Sequence, residues 1–274
     1  MSGLMQRIST AIVFVIIVLV GIFGGLKAFL ALSFLIAVFC GVELLGILHP
    51  RDQAFSLRRF LGIVMSISPI IYIVLTQNDI ITLSPGESIA FLTLTCFILF
   101  VIELFVHSDE PFTSIGASIL ILIYVGLPLS LLAHMAYNLE VYDPLFILSL
   151  FLFTWVTDSG AFFIGSWFGK HKLFERISPK KTIEGFIGGF VVAIIVGYLY
   201  SYISESLTPF HWMTLAGTIA ITASIGDLIE SMLKRSHNIK DSGAWLPGHG
   251  GFLDRFDGFL FSLPFAYAVI HLLP

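Results

Sequence analysis

The sequence predicts an all-α integral membrane protein with about nine transmembrane helices, and three observations support this fold class. Hydrophobic residues make up 57% of the 274 residues and charged residues only 12%, whereas about a quarter of a soluble protein is charged. The apolar residues form long stretches, and a helix needs about 20 of them to cross a bilayer. The basic residues are concentrated between a few of these stretches. A water-soluble globular protein is therefore excluded.

Nine apolar stretches have the length of a membrane span. They cover residues 10–25, 28–48, 60–76, 88–106, 113–137, 144–168, 186–203, 210–233 and 252–273. The first stretch follows Arg7, but no small-residue cleavage site follows it, and Lys27 leads directly into the second stretch. It is therefore predicted to be a retained helix rather than a cleaved signal peptide.

The distribution of Lys and Arg predicts the orientation of the chain, because basic residues in short loops are retained on the cytoplasmic side. With the N-terminus inside, 13 of the 14 Lys and Arg residues fall on the inside, and only Lys27 lies outside. We therefore expect a protein integral to the cell (inner or cytoplasmic) membrane. Its N-terminus and active site should face the cytoplasm, and its C-terminus should be extracytoplasmic.

The polar motifs divide the chain into two regions. Residues 1–140 hold about five spans with few intramembrane charges, which predicts a scaffold or assembly role. Residues 141–274 hold about four spans and nearly all the charged and glycine-rich motifs, which predicts a catalytic region.

Composition also excludes several classes of protein. The 27 Phe, 8 Tyr and 4 Trp exclude a disordered chain. The net charge of −4 argues against a nucleic-acid binder, which would need a basic excess. Cys40 and Cys96 lie within apolar stretches without metal-ligand spacing, so neither a disulfide framework nor a zinc site is expected.

Acidic residues gather at the facing ends of the eighth and ninth spans. The eighth span carries four polar residues spaced to share one helical face: Asp227, Glu230, Ser231 and Lys234. The ninth span opens with Asp254 and Asp257, and Asp241 lies between the spans. Carboxylates at membrane depth are costly and therefore indicate function, and hard oxygen ligands suit Mg²⁺. The alternative is that these acids only form ion pairs with Lys234, Arg235 and Arg255.

The loop between these spans, residues 240–251, reads KDSGAWLPGHGG. Its glycines, Gly250 and Gly251 among them, allow the backbone to approach a ligand closely. Lys240 and His249 are candidate functional residues because they lie beside the acidic cluster. The alternative is an ordinary turn in which His249 is a hydrogen-bonded loop residue.

The sixth span contains Asp158 within an otherwise apolar helix. Gly165 and Gly169 have the small-xxx-small spacing that permits close helix contact. Asp158 is therefore predicted to face protein rather than lipid.

A loop before the seventh span offers groups that suit a polyphosphate. Residues 177–189 read ISPKKTIEGFIGG and present Ser178, Lys180, Lys181 and Thr182 just before a helix start. Lysines, hydroxyls and the free N–H groups of a helix N-terminus bind anions. The alternative is an anchor that touches lipid headgroups.

Residues 231–257, SMLKRSHNIKDSGAWLPGHGGFLDRFD, resemble the signature of the phosphatidate cytidylyltransferase family, also called CDP-diglyceride synthases. The signature is S-x-x-K-R, four residues, K-D, then P-G-H-G-G and D-R-x-D, and every fixed position matches. Residues 155–165 and 178–189 are similar to the upstream blocks of that family. Residues 1–140 match only in hydropathy and helix number.

The resemblance implies a nucleotidyltransferase of phospholipid biosynthesis with nine spans, which condenses CTP with phosphatidate to give CDP-diacylglycerol and pyrophosphate. The implied partners are CTP, phosphatidate and membrane lipids, and a homodimer is allowed. The expected catalytic residues are Asp227, Lys234, Arg235, Lys240, Asp241, His249, Asp254, Arg255 and Asp257. The expected substrate-binding residues are Asp158, Ser178, Lys180, Lys181, Thr182, Ser231, Gly250 and Gly251. The expected Mg²⁺ ligands are Asp227, Asp254, Asp257 and Asp241, and Asp158 and Ser231 are assigned to orienting a ligand or a second cation such as K⁺.

Three other classes of protein compete with this interpretation. A cation-coupled transporter would place its charges near the bilayer midplane in two comparable halves, whereas here they lie toward the ends of spans six, eight and nine, and no repeat is visible. A different lipid enzyme, such as a CDP-alcohol phosphatidyltransferase or a polyprenol kinase, is the second. The former needs a D-G-x-x-A-R motif that the sequence lacks. A structural scaffold is the third, and it would have no use for so many intramembrane acids.

Overall fold

The chain folds into a bundle of helices. The computed structural model describes residues 3–49, 57–105, 110–138, 141–243, 245 and 250–272. The helices are α1 (Gly3–Phe23), α2 (Leu26–Leu48), α3 (Leu57–Gln77), α4 (Pro85–Phe105), α5 (Pro111–Ile121), α6 (Leu127–Asn138), α7 (Pro144–Phe168), α8 (Ile183–Tyr200), α9 (Pro209–Ser236) and α10 (Asp257–Leu272). A π-helical turn, Leu122–Gly126, joins α5 to α6, and a 3₁₀ turn, Leu253–Arg255, precedes α10. The predicted fold class is confirmed.

Most of these helices are long and apolar enough to cross a bilayer. Within the described residues, seven segments meet both criteria: Leu26–Leu48, Arg59–Gln77, Gly86–Phe105, Pro111–Tyr137, Pro144–Phe168, Ile183–Tyr200 and Pro209–Ser236. Ile8–Phe23 and Asp257–Leu272 are shorter apolar helices. The chain is therefore an integral membrane protein, while the count of nine spans and the orientation stay predictions.

Side-chain caps fix where three helices of the second region begin. Asp143 accepts a hydrogen bond from the Leu145 N–H (2.8 Å) at the start of α7. Thr182 accepts one from the Gly185 N–H (3.1 Å) at the start of α8. Thr208 accepts one from the His211 N–H (3.3 Å) at the start of α9. Each cap satisfies a backbone N–H that has no partner inside its helix.

The segment between α7 and α8 is a short antiparallel β-hairpin of β1 (Lys172–Phe174) and β2 (Ser178–Thr182). The sequence analysis placed a loop before the seventh span but did not predict these two paired strands within the connection. Glu184, in the first turn of α8, holds the hairpin by accepting hydrogen bonds from the backbone N–H groups of Lys170 (3.0 Å) and His171 (3.2 Å). The hairpin thus delivers β2 directly to the N-terminus of α8.

Helices α7 and α8 approach closely because glycines line their interface. A Cβ atom built on Gly165 would lie 3.3 Å from the Gly185 Cα atom, so the close contact predicted from the glycine spacing of α7 is confirmed. A Cβ on Gly189 would lie 2.7 Å from the Thr157 carbonyl oxygen. The interface has no room for a larger side chain at these positions.

One hydrophobic core spans both regions of the chain. It includes Phe29 and Leu44 from α2, Phe151 from α7, Trp212 from α9 and Leu260 from α10. The indole N–H of Trp212 donates to the Ser204 carbonyl oxygen (3.1 Å), so this buried polar group is satisfied. The division into residues 1–140 and 141–274 therefore stays a prediction about roles, since the two regions pack as one body.

Replacement of Gly189 by Ala should destabilise the bundle, because the new Cβ would overlap the backbone of α7. We expect a loss of about 1–3 kcal/mol, typical of overpacking, measured as a lower Tm in detergent. Gly116→Ala is the matched control, because a Cβ there has no neighbour within 4 Å. A Tm for Gly189→Ala equal to that of the control would contradict the packing described here.

Candidate active site

The C-terminal part of α9 carries the central polar face of the molecule. Asp227, Glu230 and Lys234 lie along it, as their spacing predicts. The Ser231 hydroxyl donates to Asp227 Oδ1 (3.3 Å), which places it on the same face. Partners from two other parts of the chain meet this face, one at Asp227 and the other at Lys234.

A cavity of about 350 Å³ lies beside Asp227, between α7, β2, α8 and α9. Its polar lining includes five residues expected from the sequence to bind substrate or metal, together with Ser166 and Ser224: Asp158, Lys180, Lys181, Thr182 and Asp227. Asp158 thus faces a protein cavity, as predicted. Among the described residues, the lining does not include Ser178, which lies at the start of β2.

An ion pair joins the two walls of this cavity. The Lys181 ammonium group, on β2, contacts the Asp227 carboxylate on α9. Both side chains remain accessible, at 28% and 33% exposure, so a ligand in the cavity can reach them. Lys180 is exposed next to them. The arrangement offers cationic groups at the N-terminus of α8, where an anion is also favoured by the helix dipole.

Lys234 joins α9 to the turn before α10. Its ammonium group donates to Asp254 Oδ1 (2.5 Å) and also forms an ion pair with Glu230. The Glu230 side chain is fully buried. A buried charge is tolerated only when it is paired, and Lys234 supplies the cation next to two acids from different elements.

Asp254 is held rigidly by the loop that precedes it. Its Oδ2 atom accepts hydrogen bonds from the backbone N–H groups of Ser242 (3.0 Å) and Gly251 (2.8 Å). Its Oδ1 atom accepts from the Lys234 ammonium group, so three donors from two elements hold the carboxylate in one orientation.

The glycines of the loop bring the backbone close to these acids. Gly250 has a φ of +86°, which favours glycine. A Cβ on Gly250 would lie 2.9 Å from Asp254 Oδ2 and 3.5 Å from Asp241 Oδ1. The structure thus brings Asp241 and Asp254 to the two sides of one glycine.

Asp257 connects the Asp227 group with the Lys234 group. Its carboxylate interacts electrostatically with those of Asp227, Glu230 and Asp158. The combined site contains five acids, Asp158, Asp227, Glu230, Asp254 and Asp257, and three bases, Lys181, Lys234 and Arg255. Over the residues that the structure describes, no three acidic, His or Cys side chains are arranged as a metal site, and the Mg²⁺ ligand set stays a prediction.

The remaining candidates lie around the rim of this site or outside the described residues. Arg235 donates from Nη1 to the Ile239 carbonyl oxygen (2.9 Å) and so closes the C-terminus of α9. Lys240 and Arg255 are exposed. His249 lies outside the residues that the structure describes.

The sequence analysis missed Glu43, a buried acid on α2 that is 3% exposed. Its Oε2 atom accepts hydrogen bonds from the Ser242 hydroxyl (2.9 Å) and the Leu253 N–H (2.7 Å). A signal was present, because Glu43 is the one charged residue in the apolar stretch 28–48. Glu43, like Asp158, is an acid within an apolar span, and such acids indicate function.

Comparison with known proteins identifies the family. The model of the cytidylyltransferase family matches residues 5–273. A phosphatidate cytidylyltransferase of Bacillus subtilis (strain 168) is 34% identical over 281 residues, covering 99% of each chain. Proteins of the same name from Thermotoga maritima and Staphylococcus saprophyticus are 33% and 34% identical, covering 100% and 94% of this chain and 98% and 95% of their own.

The chain belongs to the cytidylyltransferase family. It is a nucleotidyltransferase of the membrane, as the resemblance of residues 231–257 implies.

Lys181→Ala should lower kcat/KM about ten- to a hundredfold, because a charge-assisted contact to phosphate is worth about 1.5–3 kcal/mol. The measurement is initial rate with each substrate varied below saturation. Lys172→Ala is the matched control, since Lys172 is exposed on the neighbouring strand and is not among the residues lining the cavity. Equal kcat/KM for the two variants would favour a headgroup anchor at Lys181.

Proposed function

We propose that this chain transfers the cytidylyl group of CTP to phosphatidate and releases pyrophosphate, giving CDP-diacylglycerol. The observation that carries the proposal is the family match over residues 5–273, together with relatives named phosphatidate cytidylyltransferase along nearly their whole length. The cavity has the charged groups that such a reaction requires. It sets lysines and carboxylates at the N-terminus of a membrane helix, where a polyphosphate and a lipid phosphate can both be held.

The reaction needs positioning more than acid–base chemistry. A phosphate oxygen of phosphatidate attacks the α-phosphorus of CTP, and the bond from that phosphorus to the bridging oxygen of the β-phosphate breaks. A phosphomonoester has a second pKa of about 6 and is largely dianionic at neutral pH, so no general base is required. The main obstacle is repulsion between two anions.

Lys180, Lys181 and the N-terminus of α8 would offset that repulsion. Lys181 exchanges its contact with Asp227 for one with a phosphate oxygen, at little cost because both side chains are already accessible. In the first turn of α8, the Ile183 N–H donates to the His171 carbonyl oxygen (2.9 Å) and the Gly185 N–H to the Thr182 hydroxyl, so this helix end would act through its dipole. Phosphate oxygens are thus met by charge from β2 and by dipoles from α8.

Mg²⁺ is the proposed cofactor, held by Asp227, Asp254 and Asp257 with Asp241 nearby. The donors are hard oxygens, which Mg²⁺ prefers. A cation held by these residues would supply neutralisation of the negative charge that develops on the leaving pyrophosphate. Asp158 and Ser231 are the proposed contacts of a ligand or of a second cation such as K⁺.

The proposed test incubates the purified protein with phosphatidate, Mg²⁺ and CTP labelled either at the α- or at the γ-phosphate. Label from the α-position should enter the lipid, and label from the γ-position should leave as pyrophosphate. Diacylglycerol in place of phosphatidate is the control, because it lacks the attacking phosphate. Transfer of the γ-label to lipid would instead identify a kinase, and no transfer of either label would contradict the proposal.

Asp227→Asn and Asp254→Asn should each lower turnover at least about a hundredfold. Each removes a negative charge from the proposed Mg²⁺ ligand set, and the cation held there would offset the charge that develops on phosphate. The measurement is kcat as a function of Mg²⁺ concentration. Asp79→Asn is the control: Asp79 is exposed with a φ of +55°, which Asn also tolerates. Near wild-type kcat at limiting Mg²⁺ in both site variants would sink the proposed metal set.

We further propose that the site faces the cytoplasm of a bacterial-type inner membrane, which the distribution of basic residues supports. In a background with Cys40 and Cys96 replaced by Ser, an impermeant maleimide added to intact cells should label Glu205→Cys and leave Glu175→Cys unlabelled. Both positions are exposed, one after α8 and the other in the β-hairpin. Lysis should make Glu175→Cys reactive, and the reverse pattern in intact cells would overturn the orientation.

A further inference from the structure

We propose that Glu43 is a positioning residue for the transfer reaction: its carboxylate fixes the loop over residues 242–253 against α2 and thereby aims Asp254 at the site. The proposal rests on the proposed function for its kinetic consequence only. The contacts themselves connect the region predicted to be a scaffold with the region predicted to be catalytic.

A single carboxylate oxygen of Glu43 holds both ends of the loop. Glu43 Oε2 accepts from the Ser242 hydroxyl (2.9 Å) at the start of the loop and from the Leu253 N–H (2.7 Å) at its end. A carboxylate within a membrane helix is costly unless it has partners; these two donors satisfy Oε2, whereas Oε1 is buried without a hydrogen-bond partner among the described residues. The glycine-rich backbone between them is thus closed by a side chain from α2.

The same contacts continue to Asp254. The Ser242 hydroxyl that donates to Glu43 accepts from the Asp254 N–H (3.4 Å), and the Ser242 N–H donates to Asp254 Oδ2 (3.0 Å). Asp254 in turn binds Lys234. Movement of Ser242 would therefore move two of the hydrogen bonds that orient Asp254.

Two further features show that the loop packs closely against α2. Phe39, one turn before Glu43 on α2, contacts the rings of Trp245 (5.5 Å between centroids) and Phe252 (5.1 Å). A Cβ on Gly243 or Gly251 would overlap the Glu43 carboxylate. Gly251, expected from the sequence to bind substrate, thus has a structural reason to be glycine.

The decisive comparison is between Glu43→Leu and Glu43→Gln. Leu removes the acceptor, so kcat/KM should fall about ten- to a hundredfold, as for a misplaced catalytic group. Gln keeps an acceptor oxygen of the same reach without the charge, so it should restore most of the activity. If the Glu43 charge itself contacted a metal or substrate, Gln would be as inactive as Leu, and the proposal would be overturned.

Hydrogen–deuterium exchange supplies a readout that does not depend on activity. In Glu43→Leu, the peptide covering residues 240–253 should exchange faster, while the β-hairpin over residues 172–182 should be unchanged. Glu103→Leu is the matched control, because it removes another buried acid, from α4. Lost activity without faster exchange in the loop would contradict a positioning role, as would wild-type kcat/KM in Glu43→Leu.

Ser242→Ala tests the same contact from the loop side and serves if Glu43→Leu fails to fold. It should reproduce the faster exchange and a similar loss of kcat/KM, and the double variant should lose little more than either single one, because both remove one interaction. Additive losses would show that Ser242 and Glu43 act independently. Failure of the proposed function would appear as an inactive wild type, whereas the exchange result would still decide the role of Glu43.

Discussion

The ion pairs of Lys234 with Glu230 and Asp254 are the interaction on which the rest of the site depends. A bilayer offers no water to solvate a fully buried carboxylate, so Glu230 can remain in α9 only with a cation beside it. The same ammonium group binds Asp254 and fixes the turn before α10. Charge balance inside the membrane and the placement of a reactive group are therefore one requirement in this fold.

Close packing of α7 on α8 meets a second requirement, that of a cavity between these helices and α9. Gly165 and Gly185 allow the backbones to touch, and the hairpin then delivers Lys181 to the wall of the cavity opposite Asp227. Small residues thus determine the position of charged ones.

Much of this could be read from the sequence, because spans and helix faces follow from local patterns. Periodicity placed Asp227 and Lys234 on one face, and glycine spacing placed α7 near a neighbour. The β-hairpin could not be read so easily, because it depends on Glu184 binding backbone groups before β1. The partner of each charge is likewise a tertiary fact: only the fold pairs Lys181 with Asp227 and brings Glu43 to Ser242.

The contact between Glu43 and the loop has a consequence for how the protein is made. Its two hydrogen bonds join residues 199 and 210 positions apart in the chain, so they are among the slowest kind of contact to form. α2 is synthesised long before Ser242 leaves the ribosome. Until then, the Glu43 carboxylate lacks the two donors that it has in the folded protein. Completion of this contact is therefore tied to the arrival of the last helices, and a chain that stops short of them leaves Glu43 without these two donors.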